Sequence, residues 1–404
     1  MLKKRIVLSL IVIIGTSFIA EQCYSIPAFA RKYRLSCKTC HSPSAPKLKD
    51  YGDTFAGDGF RLEDEEAPRY YVPAGDDKLS LIRDFPLAVR LDGFVSYNIS
   101  NSERSDFEAP YLMKLLSGGE ISDNLSYYFY FYMDERGEIA GVEDAYLMYN
   151  NLFNADLDIY LGQFQVSDPL FKRELRLSLE DYKLYTSQIG NSDINLKYDK
   201  GVMVTLGLKT GTTIVMEVVN GNGLREAENH VWDKDKYKSY MGRISQSIGE
   251  FLSIGGFAYL GKEKLTNDVN DDRITNEITI FGPDLTLTYS DKLELNFQYT
   301  LRNDSEVYLK ETESNTGENL DTEGILGELI YSPKGNNSDW YLMGLYNYVE
   351  SDFDPADYES FTFHAGYLIR RNVRFAAEYS IIDSYIENQN EQYGQFSVGF
   401  VSAF

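Results

Sequence analysis

The chain predicts an all-β fold: an antiparallel outer-membrane β-barrel of about 16 strands, preceded by a small helical segment. Three observations carry that expectation. Apolar and polar residues alternate through most of the chain after Pro86. The connections between alternating stretches are short and long by turns, and the final stretch ends on an aromatic residue, Phe404. Composition agrees, since 32 Tyr and 23 Phe stand against only 11 Pro, the usage of a strand-rich protein with aromatic girdles.

Residues 1–25 read as a secretory signal peptide. Lys3-Lys4-Arg5 is followed by an apolar run from Ile6 to Ile14, and small residues around Tyr24 offer a cleavage site that removes Cys23. After it, no apolar stretch approaches the roughly 18 residues of a transmembrane helix.

Residues 26–85 lack strand periodicity and carry Cys37-Lys38-Thr39-Cys40-His41, a C-x-x-C-H pentapeptide. Two thiols at that spacing can each form a thioether with a haem vinyl group, and the adjacent His41 then falls on the iron as proximal ligand. One covalent c-type haem is the expected cofactor. Other uses of the pair stay open. A zinc site needs about four ligands, and the remaining histidines, His230 and His364, lie far down the chain. A redox dithiol wants a βαβ setting, and a structural disulfide leaves His41 unexplained.

Residues 86–404 read as the transmembrane barrel. In 292–302, Leu293, Leu295, Phe297, Tyr299 and Leu301 alternate with Lys292, Glu294, Asn296, Gln298, Thr300 and Arg302, as a strand between lipid and a wet lumen requires. Stretches 87–98 and 373–381 repeat the pattern. Sixteen strands follow, near 86–99, 110–121, 124–134, 140–150, 155–165, 193–209, 212–221, 238–248, 251–261, 274–289, 292–303, 322–333, 338–349, 359–370, 373–383 and 392–404. Short turns at 122–123, 210–211, 249–250, 290–291 and 371–372 belong to the periplasmic side. Long polar loops at 166–192, 222–237, 262–273, 304–321, 350–358 and 384–391 belong outside. The outer loops 304–321 and 350–358 are rich in carboxylates able to hold divalent or trivalent cations or simply to face solvent.

The stretch from Ile26 to Leu62 resembles the N-terminal region of the fused monohaem cytochrome c–porin family of the outer membrane, which includes bacterial iron-oxidising cytochromes. Ala30-Arg31, Cys37, Cys40, His41, Pro46-Lys47-Leu48, Gly52, Phe55 and Gly59-Phe60 carry the likeness. The iron-oxidising branch has Arg-Gln-Thr-Gly before its cysteines, where this chain has Arg31-Lys32-Tyr33-Arg34. The resemblance implies one-electron transfer across the outer membrane of a Gram-negative bacterium. Extracellular Fe(II) or another redox solute and periplasmic c-type cytochromes are the partners it implies. A 16-stranded lumen can receive the haem segment, which would bring the haem within reach of both sides.

No Met and no second His lies between Ile26 and Phe85 to supply a sixth iron ligand. In strand 359–370, Phe361, Phe363, Ala365, Tyr367 and Ile369 face lipid, which turns His364 inward as a possible distal ligand or as an ordinary hydrogen-bonded pore residue. The same phase puts Met148, Met203, Met241 and Met343 inside. Lys47, Lys49 and a new amino terminus are further candidates, and a five-coordinate iron is the remaining alternative. A rival reading is a solute- or anion-conducting porin lined by Arg90, Lys209, Arg243, Lys292, Arg302 and Arg374, its haem segment sensing, gating or docking. The net charge of −23 argues against nucleic acid as a partner. No nucleophile elbow, phosphate loop or His-rich metal motif supports a hydrolase.

Overall fold

The computed structural model describes residues 28–33, 35–62, 85–99, 104–138, 141–225, 227, 229–266, 273–309, 318–386 and 389–404. The expected signal peptide, Cys23 and part of the 304–321 loop lie outside these residues. Among them, strands β1 (Leu87–Ile99), β2 (Arg104–Ser122), β3 (Leu125–Glu135), β4 (Gly141–Tyr149), β5 (Leu157–Gln165), β6 (Tyr198–Gly207), β7 (Thr212–Val219) and β8 (Ser239–Ile248) form the first half of the sheet. The second half is β9 (Leu252–Thr266), β10 (Arg273–Tyr289), β11 (Leu293–Val307), β12 (Glu318–Tyr331), β13 (Trp340–Ser351), β14 (Tyr358–Arg370), β15 (Val373–Ile386) and β16 (Gln389–Ala403). Each strand pairs antiparallel with its neighbours in sequence, and β16 closes on β1 from Arg90↔Ala403 to Ile99↔Gly394. The sixteen expected strands are therefore all present, several longer at the long-loop end, while the one expected over 193–209 begins only at Tyr198.

Strand phase decides which way each side chain points. Along β11, Asn296, Gln298, Thr300 and Arg302 are buried, whereas Phe297 on the other face is exposed. Along β14, Ser360, Thr362 and His364 are buried while Phe361, Phe363, Tyr367 and Ile369 are exposed. This inversion, polar inside and apolar outside, gives the barrel an apolar belt fit for lipid. Met148, Met203, Met241 and Met343 are buried inside, as their phase requires. Phe396, Phe400 and Phe404 sit on the outer face, and Phe404 exchanges two backbone hydrogen bonds with Val89 at the seam.

One connection departs from expectation. Residues 166–192 read as a long outer loop, but the segment from Val166 to Lys197 folds into the lumen. Tyr182, Tyr185, Ile189, Ile194 and Leu196 are at most 1% exposed, most of them packed against Met148, Met203, Met241 and Tyr259 from the wall. Burial of these apolar groups drives the inward fold. Arg302 holds it there, Nη1 donating to Ile194 O (2.9 Å) and Nη2 to Ser192 Oγ (3.2 Å).

Candidate haem-attachment cavity

The N-terminal segment holds three short helices, α1 (Ala28–Tyr33), α2 (Cys37–Cys40) and α3 (Asp50–Gly57). Ser36 caps α2 by accepting from Lys38 N, and His41 N donates to Cys37 O (2.9 Å). That single turn places positions i, i+3 and i+4 on one side. Cys37, Cys40 and His41 accordingly line one cavity of about 280 Å³. Lys49 N donates to Cys40 O (2.9 Å) at the start of α3. Gly52 then lies so close that a Cβ there would sit 2.2 Å from Cys40 O.

Phe29 stacks on Phe60 (4.7 Å between centroids) and meets Phe55 edge-on (5.6 Å), while Phe60 stacks on Tyr128 of the barrel (5.2 Å). Gly59 takes φ +71°, and a Cβ there would strike Ser126 and Asn150 of the barrel wall. Asn150 Nδ2 donates to Gly57 O (2.6 Å). Across the mouth, Lys38 Nζ donates to Asn337 Oδ1 (3.1 Å), and Lys47 Nζ pairs with Glu328 Oε1 (2.6 Å). The segment thus sits in the short-turn mouth, bonded to opposite walls.

The donor set suits a c-type haem. Both cysteines are free, and burial pushes their thiols up, so they are held as neutral S–H groups. His41 Nδ1 lies 3.0 Å from Pro46 O, a contact that fixes the tautomer with Nε2 unprotonated, the form a metal needs. Burial lowers the His41 pKa in the same sense. Of the residues on which the family likeness rests, Ala30, Pro46, Leu48, Gly52, Phe55 and Phe60 also line the cavity, and Lys47 and Gly59 do not.

The opposite walls come from the barrel and the inward loop: Arg90, Lys114, Tyr128, Tyr146, Asp168, Lys172, Glu174, Arg371 and Arg374. Asp168, Lys172 and Glu174 were not legible as site residues, because their segment reads as an external loop. The large apolar residues Tyr182, Tyr185 and Ile189 within it were the signal against that. Burial, helped by Glu174 and Asp53 against the opposing Lys172, pushes the Asp168 carboxyl up to about 7.

His364 is not brought to this cavity. Its Nδ1 lies 2.9 Å from Glu378 Oε2 and its Nε2 3.2 Å from Tyr341 OH, so both ring nitrogens are engaged as a pore residue's would be. Lys47 is held by Glu328, and Lys49 Nζ donates to Lys38 O. His230 is exposed in the connection between β7 and β8. Among the described residues no cluster of three His, Cys, Asp or Glu forms a metal site; residues 310–317 of the acidic 304–321 loop lie outside them.

A second cavity of about 470 Å³ is lined by Glu108, Asp134, Arg136, Glu180 and Glu378, among others. Arg374 lines the first cavity and Glu378 the second. The two cavities are therefore roughly 13 Å apart along β15, at about 3.3 Å per residue, with the acidic one nearer the long loops. Most of the arginines expected to line an anion path are neutralised. Arg90 pairs with Asp92 (2.7 Å), Arg243 with Asp284 (2.5 Å) and Arg302 with Asp304 (2.6 Å).

No family model and no curated protein matches the chain. Among solved structures, the chain is similar to the anion-selective porin of Comamonas acidovorans. They share 10% identity and a TM-score of 0.56, over 80% of this chain and 99% of the porin. The outer membrane channel DcaP of Acinetobacter baumannii is similar at 14% identity and TM-score 0.57, over 80% of this chain and 97% of that one. Salmonella typhi OmpF, solved with daunomycin, is similar at 15% and 0.53, over 79% and 97%. At these identities the likeness establishes the porin fold. The matched share is close to that of the barrel alone, without the N-terminal segment.

Proposed function

We propose that this chain is an outer-membrane electron-transfer protein, a porin-type barrel carrying one c-type haem in its periplasmic mouth. The observation that supports this most is the convergence of Cys37, Cys40 and the unprotonated edge of His41 on a cavity walled by both segment and barrel. In this reading Cys37 and Cys40 are the covalent anchors and His41 the proximal ligand. A haem bound there supplies one-electron exchange at its iron.

The chain's own residues set the conditions for that exchange. Pro46 O orients the imidazole, and Phe29, Phe55 and Phe60 keep water from one side. Lys47–Glu328 fixes the segment across the mouth, so the site stays within the lumen and does not trail into the periplasm. Toward the long loops, the acidic cavity favours approach by a metal cation over an anion. The reaction class is one-electron exchange between an external redox solute, with Fe(II) the leading candidate by resemblance, and periplasmic c-type cytochromes.

The porin fold itself favours a second reading, solute conduction with the segment as a gate or dock. Two features weigh against a wide anion path: the inward loop and the paired arginines. Co-expression with cytochrome c maturation factors, followed by haem staining of the denatured chain, separates the readings. Haem that survives denaturation and is lost in the Cys37→Ser/Cys40→Ser variant supports electron transfer. A haem-free wild-type chain with solute conductance leaves the porin.

A further inference from the structure

Arg374 projects from β15 into the lumen and is 3% exposed, yet its Nε and Nη1 have no hydrogen-bond partner among the described residues. A guanidinium cannot shed its charge, so burying one unpaired is costly. Its neighbours in the lumen solve the same problem locally, Arg90 with Asp92, Arg243 with Asp284 and Arg302 with Asp304. Arg374 instead lies 5.8 Å from the Tyr341 ring centroid, a cation–π contact that leaves Nε and Nη1 without an acceptor. The same guanidinium lines the cavity of Cys37, Cys40 and His41. That cavity has an apolar body built by Phe29, Phe55 and Phe60, and Arg374 gives its wall a free cationic fork.

We infer that Arg374 is the anchor for a carboxylate on the ligand of this cavity, a propionate side chain of the haem joined to Cys37 and Cys40. The inference rests on the haem reading above and adds to it the residue that fixes the far edge of the ring. In a haem the vinyl and propionate groups lie on opposite edges. Thioethers at the cysteines therefore direct the carboxylates away from α2, toward cavity walls supplied by the barrel. A bidentate Arg–carboxylate contact satisfies the orphaned nitrogens and stops the ring from tilting about its thioether edge. The cation also favours the reduced state, which carries one more electron.

The test uses the full chain matured with haem, in detergent, as wild type, Arg374→Gln and Arg374→Lys. Haemochrome absorbance after denaturation reports attachment, resonance Raman reports the propionate bending band, and spectroelectrochemistry reports the potential. All three proteins are expected to keep covalent haem. Arg374→Gln is expected to shift the propionate band and to weaken reduction about tenfold, roughly 59 mV for one electron. Arg374→Lys keeps the charge, so its potential stays near wild type, but an ammonium cannot reproduce the fork and the band still moves. Attached haem with the wild-type band in both variants overturns the assignment, and the Lys variant decides alone if the Gln variant does not fold. A wild-type chain without covalent haem overturns the haem reading itself, and this inference with it.

Discussion

Lys47→Met removes an ionic contact that ties the N-terminal segment to the far wall. Lys47 Nζ lies 2.6 Å from Glu328 Oε1, with the two side chains 12% and 1% exposed. Burial works against the Lys47 charge, but Glu328, Tyr182 and Glu294 outweigh it and hold the ammonium above the usual lysine range. At an effective dielectric near 20, the attraction at that distance is about 6 kcal/mol. Desolvation of both ions offsets much of it, so the pair as a whole adds little, whereas leaving one ion buried alone costs about 3–5 kcal/mol. Glu328 keeps hydrogen bonds from Tyr182 OH (2.9 Å) and Asn296 Nδ2 (3.1 Å), which argues for the lower figure. About 3 kcal/mol corresponds to roughly a hundredfold fall in the docked population. Hydrogen exchange reads this directly, at the amides of Lys49 and Asp53 that close the cysteine turn and start α3. They are expected to exchange about a hundredfold faster in Lys47→Met, while barrel amides are unchanged. The double variant Lys47→Met/Glu328→Leu is expected to recover to within about 1 kcal/mol of wild type. Wild-type exchange in the single variant, or a double variant no better than the single, refutes the reasoning.

Three other outcomes follow from the same structure. Gly52→Ala drives a Cβ into Cys40 O at 2.2 Å, so it is expected to destabilise the segment by about 1–3 kcal/mol or more and to lower the yield of covalent haem on a gel. The Asp168 pKa of about 7 lies above its unfolded value near 3.9, so this group favours the folded state less and less as pH rises from about 4 to 7. Thermal melts across that window are expected to show a slope that Asp168→Asn removes; parallel curves would contradict it. Arg302→Ala frees Ile194 O and Ser192 Oγ, and single-channel recordings are expected to show larger or noisier conductance than wild type as the inward loop loosens. Unchanged conductance would mean that apolar packing and the loop's other hydrogen bonds, such as Lys183 N to Asn347 Oδ1 (3.2 Å) and Asn347 Nδ2 to Asp181 O (3.0 Å), hold it without Arg302.

The barrel was legible because a period of two is a strong local signal. Phe361, Phe363 and Tyr367 against Thr362 and His364 already separate lipid from lumen, and exposure follows that phase. The near half of the cavity was legible for a similar reason, since Cys37, Cys40 and His41 share a side once a single helical turn forms. The far half was not. Lys47 and Glu328 are 281 residues apart, and no local spacing announces such a pair. Residues 166–192 were misplaced because their polar residues suit an external loop, and 193–197 because they read as the start of strand 193–209, which begins only at Tyr198. Only the lumen, filled from several strands at once, explains why Tyr182, Tyr185 and Ile189 need not see water. His364 shows the limit of phase. Its inward direction was correct, but phase does not tell a ligand from a ring held between Glu378 and Tyr341.

The central claim is that a haem held by Cys37, Cys40 and His41 in the lumen mouth exchanges electrons with a solute on the long-loop side. Stopped-flow absorbance of the matured protein in sealed liposomes, long loops outward, tests it with a reductant confined outside. The account expects the reduced α-band to grow with Fe(II) or, failing that, with a small strong reductant from the same side. A protein that carries haem yet shows no reduction by either reagent from that face contradicts it.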